Sequence, residues 1–157
     1  MDPRAAILIE TLALLPHPEG GHFREVHRSA HRVVPDDGRP ARNAVTVIYF
    51  LLAEGEASRW HRVSSDETWH FHEGAVLELS VATMSDLAAV ETRRLGPVAD
   101  GIEPVCVVPA GRWQAARSTG AFTLVSCSVG PGFDFEDFEM LPGWPFVTGA
   151  ARSERRS

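Results

Sequence analysis

The sequence predicts an all-β fold, a sandwich or jelly-roll barrel, preceded by one short helix. Its 157 residues, 44% of them apolar, suit a single domain that buries roughly 70% of the unfolded chain's surface. Only the first segment places apolar residues at helical spacing. From Phe23 onward at least seven short runs rich in β-branched and aromatic residues follow one another, most of them separated by Gly, Pro, Asp or Ser.

Ile7, Leu8, Leu12 and Leu15 recur at helical intervals, with Asp2 placed to cap and Pro3 suited to the first turn. Pro16-His17-Pro18-Glu19-Gly20-Gly21 stops this helix, because prolines and tandem glycines impose a loop. Phe23 to Arg28 alternates as a strand does, and a polar loop through Pro35, Asp36, Asp37, Gly38 and Pro40 follows. Val45 to Leu52 is a strong strand candidate. Further strands are expected over 57–63, 68–72, 75–84, 88–95, 105–108, 113–117 and 122–129. Phe133 to Glu139 alternates aromatic and acidic residues, as a half-buried edge strand with solvent-facing acids would. The chain reads as one domain over 1–157, with the helix in 1–15, a barrel over 16–145 and a frayed tail at 150–157.

All 15 basic residues are arginine and none is lysine. Schiff-base chemistry, an internal pyridoxal-phosphate linkage and a phosphate-loop lysine are thereby excluded. Proton transfer falls to His, Glu, Asp, Cys or the single Tyr49. The net charge of -6 and the absence of a basic stripe argue against a nucleic-acid partner. No apolar run approaches the roughly 20 residues that span a membrane, so no membrane partner is expected. Cys106 and Cys127 stand 21 residues apart in apolar runs, without metal or redox spacing. They read as buried free thiols in a reducing compartment. Glu10 interrupts the apolar stretch Ala5 to Ile9, against a signal peptide, and a cytoplasmic location is expected.

The chemistry concentrates in residues 55–74, where three histidines, four carboxylates and two tryptophans lie within 20 residues. Strand alternation puts His61 and Arg59 on one face, and His70 and His72 on a face opposite Trp69 and Phe71. A turn at Ser64-Ser65-Asp66 would fold the next strand back, so that Glu67 faces His61 across the pair and raises its pKa.

Gly55, His61, Val63, Glu67 and Gly74 have the spacing of the first motif of the cupins, which reads Gly, His, His, Glu, Gly, and only the second histidine is replaced. Pro109-Ala110-Gly111-Arg112-Trp113-Gln114 resembles the second motif, with glutamine for its histidine and Glu103 where its leading glycine would stand. The chain is more specifically similar to a small cupin branch marked by Pro16 to Gly21, Ile48 to Leu52, Ser65 to Phe71 and Pro131 to Phe138. This resemblance implies a double-stranded β-helix, commonly a homodimer, with the barrel interior as ligand site. Many cupins hold a divalent metal with three histidines and a glutamate. By position only His61, Glu67 and Gln114 could contribute here, a poor set for a transition metal, so no cofactor is expected, with a divalent metal as the alternative.

The leading functional expectation is a small-molecule-binding barrel with isomerase-like or epimerase-like chemistry on a sugar or nucleotide-sugar. In it His61, Glu67 and Tyr49 would be catalytic. Arg59 and Gln114 would hold polar groups of the ligand, Trp69, Trp113 and Phe133 would supply aromatic faces, and Glu19 would border the cavity. Each aromatic residue also fits simple packing. The alternatives are a noncatalytic binding or storage-like cupin and a metal-dependent enzyme with a degenerate ligand set.

Overall fold

A computed structural model of the chain describes residues 1–142. The expected tail at 150–157, and the last three positions of the expected barrel segment, lie outside the described residues. Helix α1 (Pro3–Thr11) starts as expected: the Asp2 carboxylate accepts hydrogen bonds from the backbone N–H groups of Arg4 and Ala5, and Pro3 fills the first turn. It ends earlier than expected. Ala13 takes a left-handed φ of 53°, and Leu15, forced toward extended backbone by the following proline, already pairs as a strand.

The strands are β1 (Leu15–Pro16), β2 (His22–Arg28), β3 (Arg32–Val33), β4 (Arg42–Asn43), β5 (Thr46–Ala53), β6 (Ala57–Val63) and β7 (Asp66–Gly74). They continue with β8 (Leu77–Ala82), β9 (Val90–Leu95), β10 (Val105–Val108), β11 (Trp113–Ser118), β12 (Phe122–Gly130) and β13 (Phe138–Met140). One sheet has the order β1-β2-β5-β12-β7-β10 and the other β13-β6-β11-β8-β9, and β3 pairs with β4 apart from both. Every named strand pair is antiparallel, so the two sheets face each other as a double-stranded β-helix.

β6 and β7 join opposite sheets, so the turn at Ser64-Ser65 is a crossover between layers and not the expected hairpin. His61 is opposite Gln114 of β11, and Glu67 is opposite Val129 of β12. The two side chains therefore approach through the barrel interior. Residues expected to continue the edge strand from Phe133 instead form a short 3-10 turn (Phe135–Asp137) before β13 adds to the edge of β6.

Alternation along β5 divides two cores. Phe50 and Leu52 point inward to join Trp69, Leu77, Leu79, Val81, Leu95 and Val125. Leu51 and Ala53 point outward, where Ala5 and Leu8 of α1 cover them together with Phe122 and Leu124. Burying these side chains from both faces supplies most of the driving force for closing the sheets.

Leu79 is fully buried, and Leu79→Ala should cost ~2–5 kcal/mol through lost transfer energy and a residual cavity. Val98→Ala, at a position 81% exposed, should stay within about 0.5 kcal/mol. Urea unfolding of both variants tests this division of the core; equal effects would contradict it.

Candidate functional site

The inner core fills only part of the barrel. The remainder is a cavity of about 370 Å3. Its floor carries His17, Glu19, His61, Glu67 and Cys127, and its walls include Phe23, Ile48, Val63 and Val129. Phe133, Phe135 and Phe138 close over it, and the exposed residues Arg24, Glu25 and Arg28 stand at its mouth. A larger, more open recess of about 540 Å3 runs past Arg62, Gly111 and Glu139 on the outside. Its charges are already committed: Arg62 pairs with Glu139 at 2.7 Å and Asp137 with Arg42 at 2.9 Å.

Glu19 reaches the floor because the loop after β1 is pinned from several sides. Its carbonyl accepts from the Arg59 N–H at 2.7 Å, and its N–H donates to His17 Nδ1 at 3.0 Å. Gly21 follows at φ 76°, where a Cβ would meet the Leu51 carbonyl at 2.7 Å, so only glycine fits the return into β2. The His17 ring stands edge-on to Phe23 and Phe50 at 4.4 and 5.6 Å between ring centres.

The hydrogen bonds assign the protons on the floor. His61 Nδ1 lies 2.7 Å from the Arg59 carbonyl, which can only accept, so Nδ1 carries the hydrogen. His61 Nε2 is then the acceptor, and Glu19 Oε2 is 3.1 Å from it. A protonated Glu19 donating to neutral His61 satisfies both groups. Burial drives the same arrangement, because it disfavours either charge. It pushes the Glu19 carboxyl well above its ordinary range, with the nearby Glu67 charge adding to the effect. Burial holds His61 down at about 4 against the opposing Arg59 carbonyl. His17 is also held at about 4, by burial first and then by His61.

Glu67 belongs to a second chain. The Trp69 indole N–H donates to Gln114 Oε1 at 2.9 Å, and Gln114 Nε2 donates to Glu67 Oε1 at 2.6 Å. Because indole can only donate, Trp69 fixes the orientation of the Gln114 amide. Burial raises Glu67 to about 7, and hydrogen bonds from Gln114 and the Cys127 thiol only partly oppose it. That thiol is itself pushed well up by burial and by the charges of Glu67 and Glu19.

The structure brings together His61, Glu67, Glu19 and Phe133 at one cavity. Gln114 lies just behind its floor and Trp69 behind Gln114, in the packed core. Tyr49 does not join them. It points to the outer face of β5 beside the α1 cluster, with Arg24 over its ring at 5.9 Å. Trp113 faces outward too, next to Trp60 and under Arg62, whose guanidinium is 4.7 Å from the ring centre.

The expected shared face of Arg59 and His61 is broken. Gln114 is opposite His61 but Ala116 is opposite Ser58, so β6 carries an extra residue at Arg59-Trp60. Arg59 is consequently exposed while His61 is buried. The expected rise of the His61 pKa through Glu67 is also reversed: its acid partner is Glu19, and burial lowers it in spite of the bond to the Arg59 carbonyl. The acids of 133–139 are not all solvent-facing, because the Asp137 side chain is only 6% exposed between Arg39 and Arg42. His70 and His72 do point away from the interior, each bonded to a serine hydroxyl of β12.

Sequence reasoning placed Phe133 at the cavity but missed His17, Cys127, Arg24, Phe135 and Phe138 as lining residues. His17 sits two residues before Glu19 in a motif read mainly as a turn. Cys127 had a readable signal, since it shares strand parity with Val125 and Val129.

A family model described as Cupin superfamily (DUF985) matches residues 6–141. The chain belongs to that family. Two similar solved structures are a hypothetical protein from Leishmania major and a protein from Shewanella oneidensis. The first is 35% identical with a TM-score of 0.79, covering 97% of this chain and 92% of its own. The second is 36% identical with a TM-score of 0.77, covering 87% and 83%. Oxalate decarboxylase from Bacillus subtilis shares the fold alone: 12% identity and a TM-score of 0.59 over 82% of this chain and 30% of that one. No curated protein matches the sequence. No helix among the described residues is long and apolar enough to cross a membrane.

The donors that this cupin offers do not fit the metal of the family motif. Val63 supplies none, and the Gln114 oxygen is turned away to Trp69. His61 Nε2 is occupied by Glu19. Among the described residues no group of three or more His, Cys, Asp or Glu is arranged to hold a metal ion. Protein purified without added metal should carry well under one equivalent of iron, manganese, nickel or zinc by elemental analysis; a stoichiometric metal would overturn the donor assignment.

The elevated Glu67 has a pH signature. Its pKa rises from 4.5 to about 7 on folding, so between those values the folded state binds more protons than the unfolded one. Its contribution to stability is full below about 4.5 and is lost as pH rises through about 7. His61 and His17 act in the opposite sense, losing stability as pH falls from 6.5 through about 4. Comparing wild type with Glu67→Gln isolates the first effect: the wild type should lose on the order of 3 kcal/mol relative to the variant across that window. A difference that stays flat in urea unfolding from pH 4 to 8 would assign Glu67 an ordinary carboxylate pKa.

Proposed function

We propose that this cupin is an isomerase-like or epimerase-like enzyme that moves a proton next to the carbonyl of a small ligand held in the barrel. One observation carries the reading: two buried carboxyl groups with raised pKa values, one of them bonded to a neutral histidine, meet on the floor of an otherwise apolar cavity. Perturbed acids of this kind are suited to general acid-base work near neutral pH.

In this mechanism Glu67, ionised above pH of about 7, takes a proton from the carbon beside the ligand carbonyl. Glu19 turns its proton from His61 Nε2 to the carbonyl oxygen as the enol forms, and His61, fixed by the Arg59 carbonyl, orients Glu19 before the transfer. Return of the proton from Glu67 to the neighbouring, former carbonyl carbon, while Glu19 takes up the proton of the hydroxyl on the first carbon, completes an isomerisation; inversion at the first carbon requires instead that a solvent proton reach its opposite face. Glu19 thus stands in the catalytic set where Tyr49, on the outer face of β5, does not. Gln114 and Trp69 act as positioning residues for Glu67. A sugar-like ligand would place its carbonyl carbon on this floor. A nucleotide-sugar would also need cations for its diphosphate at the mouth, where Glu25 already neutralises Arg28 at 2.6 Å.

The second reading, a noncatalytic binder, is favoured by the same apolar enclosure without the chemistry. Proton NMR in D2O with a panel of aldoses, ketoses and small ketones separates the two. Catalysis predicts loss of the proton beside the carbonyl for at least one compound, slowed about 100-fold or more in Glu67→Gln, with the variant's melting curve intact. A ligand that raises the melting temperature and returns unchanged would favour the binder.

A further inference from the structure

Most polar atoms on the cavity floor are satisfied within the protein, and one donor is left over. The Glu19 proton goes to His61 Nε2, and Glu67 Oε1 accepts from the Gln114 amide. His17 differs. Its Nδ1 accepts from the Glu19 N–H at 3.0 Å, so the neutral ring carries its hydrogen on Nε2. No acceptor among the described residues takes that hydrogen: Glu19 Oε1 lies 3.9 Å from the other nitrogen, and the remaining ring neighbours are Phe23 and Phe50. The N–H is not sealed in either. His22 Nδ1 is the one side-chain polar atom among the described residues that is both buried and unpartnered, so His17 Nε2 opens on the space that its residue lines. A donor left unmet in apolar surroundings favours a ligand that brings an acceptor to it.

The rest of the cavity selects against charge and against many hydroxyls. Phe23, Ile48, Phe133 and Phe138 wall it with hydrocarbon, and Leu15 and Phe135 carry the apolar surface out to the exposed rim. Neither arginine at the mouth offers its charge to the interior. Arg24 turns its guanidinium over the outward-facing Tyr49 ring, and Arg28 is bonded to Glu25, Asn43 Oδ1 and the Phe133 carbonyl. An anionic head would therefore meet the Glu67 carboxylate with no counter-ion, an ammonium head would meet the positive end of the His17 N–H, and a carbohydrate would bury hydroxyls without partners. We infer that the cavity takes an uncharged aldehyde or ketone with an apolar body, its carbonyl oxygen held by the His17 Nε2–H and its hydrocarbon along the phenylalanine walls. A carbonyl oxygen has two lone pairs, so His17 holds it while Glu19 protonates it. The inference names a substrate class for the proton-transfer reading and takes from that reading only the choice of a carbonyl; the preference for a neutral, apolar acceptor stands on His17 and the walls.

Calorimetric titration above pH of about 7, where Glu67 is ionised, tests the class with molecules of one shape. The ketones are 4-methylacetophenone and the longer 4-butylacetophenone. The controls are the same two bodies with CH2 in place of the carbonyl, together with 4-methylbenzoate, 1-(4-methylphenyl)ethylamine and fructose. At least one ketone should bind about tenfold or more tightly than its hydrocarbon and than each charged or carbohydrate control. His17→Asn keeps an acceptor for the N–H two residues on and so preserves the loop, but its shorter amide falls short of the ligand. It should bring the ketone to within about threefold of its hydrocarbon. The carbonyl stretch of the bound, isotope-labelled ketone reads the same contact spectroscopically: it should lie below its position in hexane and move back toward it in His17→Asn. No binding by either ketone, equal binding of ketone and hydrocarbon, tighter binding of the acid, the amine or fructose, an unshifted stretch, or a shift that His17→Asn leaves in place would each overturn the assignment. Deuterium exchange at the acetyl methyl group, recorded on the same samples, reads the chemistry separately. A ketone held through His17 without exchange would sink the proton-transfer reading alone. Exchange that is indifferent to His17→Asn, with the stretch unshifted, would sink the inference drawn from His17 alone.

Discussion

The hydrogen-bond chain from Trp69 through Gln114 to Glu67 is the constraint around which the barrel is organised. It starts in the apolar core and ends at a carboxyl on the cavity floor, so it marks the boundary between the packed and hollow parts of the interior. A buried glutamine is tolerated only if both ends of its amide are satisfied. Here an indole that can only donate and a carboxyl that accepts do so from opposite sides. Replacing either end would leave a polar atom buried without a partner, which costs more than the bond itself contributes. The position that serves as a metal ligand in the resembling motif has become a structural link to Trp69.

The second pair on the floor is assembled from a loop. β6 brings His61, and the turn through Gly20 and Gly21 brings Glu19, with the Arg59 backbone meeting both: its N–H holds the Glu19 carbonyl and its carbonyl holds His61 Nδ1. One residue in the β6 bulge thus sets the distance between acid and imidazole by main-chain bonds alone. Its side chain is turned outward by the same irregularity. The sheet supplies rigidity and the loop supplies the acid, which fits the general division between scaffold and functional segment.

Much of the fold was legible because turn residues and alternation are local. The strand over 57–63 and that over 105–108 were read with the bounds that the structure has, and Asp2 and Pro3 marked the helix start. The site was less legible, for identifiable reasons. Tyr49 lies between the inward-facing Ile48 and Phe50, and Trp113 adjoins the inward-facing Gln114, so alternation alone already conflicted with placing them in the cavity. Arg59 was misplaced by a bulge, which sequence parity does not reveal. The meeting of Glu19 with His61, and the burial of Asp137 against Arg42, depend on residues 42 and 95 positions apart. No local pattern encodes such contacts.

The segment over the cavity is held by charges of a particular kind. Asp137 accepts from Arg39 and Arg42, whose guanidinium groups hold its carboxyl below the usual range, and the arginines stay charged throughout. Glu67 on the floor titrates near neutrality while this tie does not. Protons can therefore be redistributed among Glu19, His61 and Glu67 without loosening the segment that carries Phe133, Phe135 and Phe138. Access to the barrel and the ionisation of its interior are set by two independent groups of residues, and a chain without lysine has given the outer one only permanent cations to hold its carboxylate.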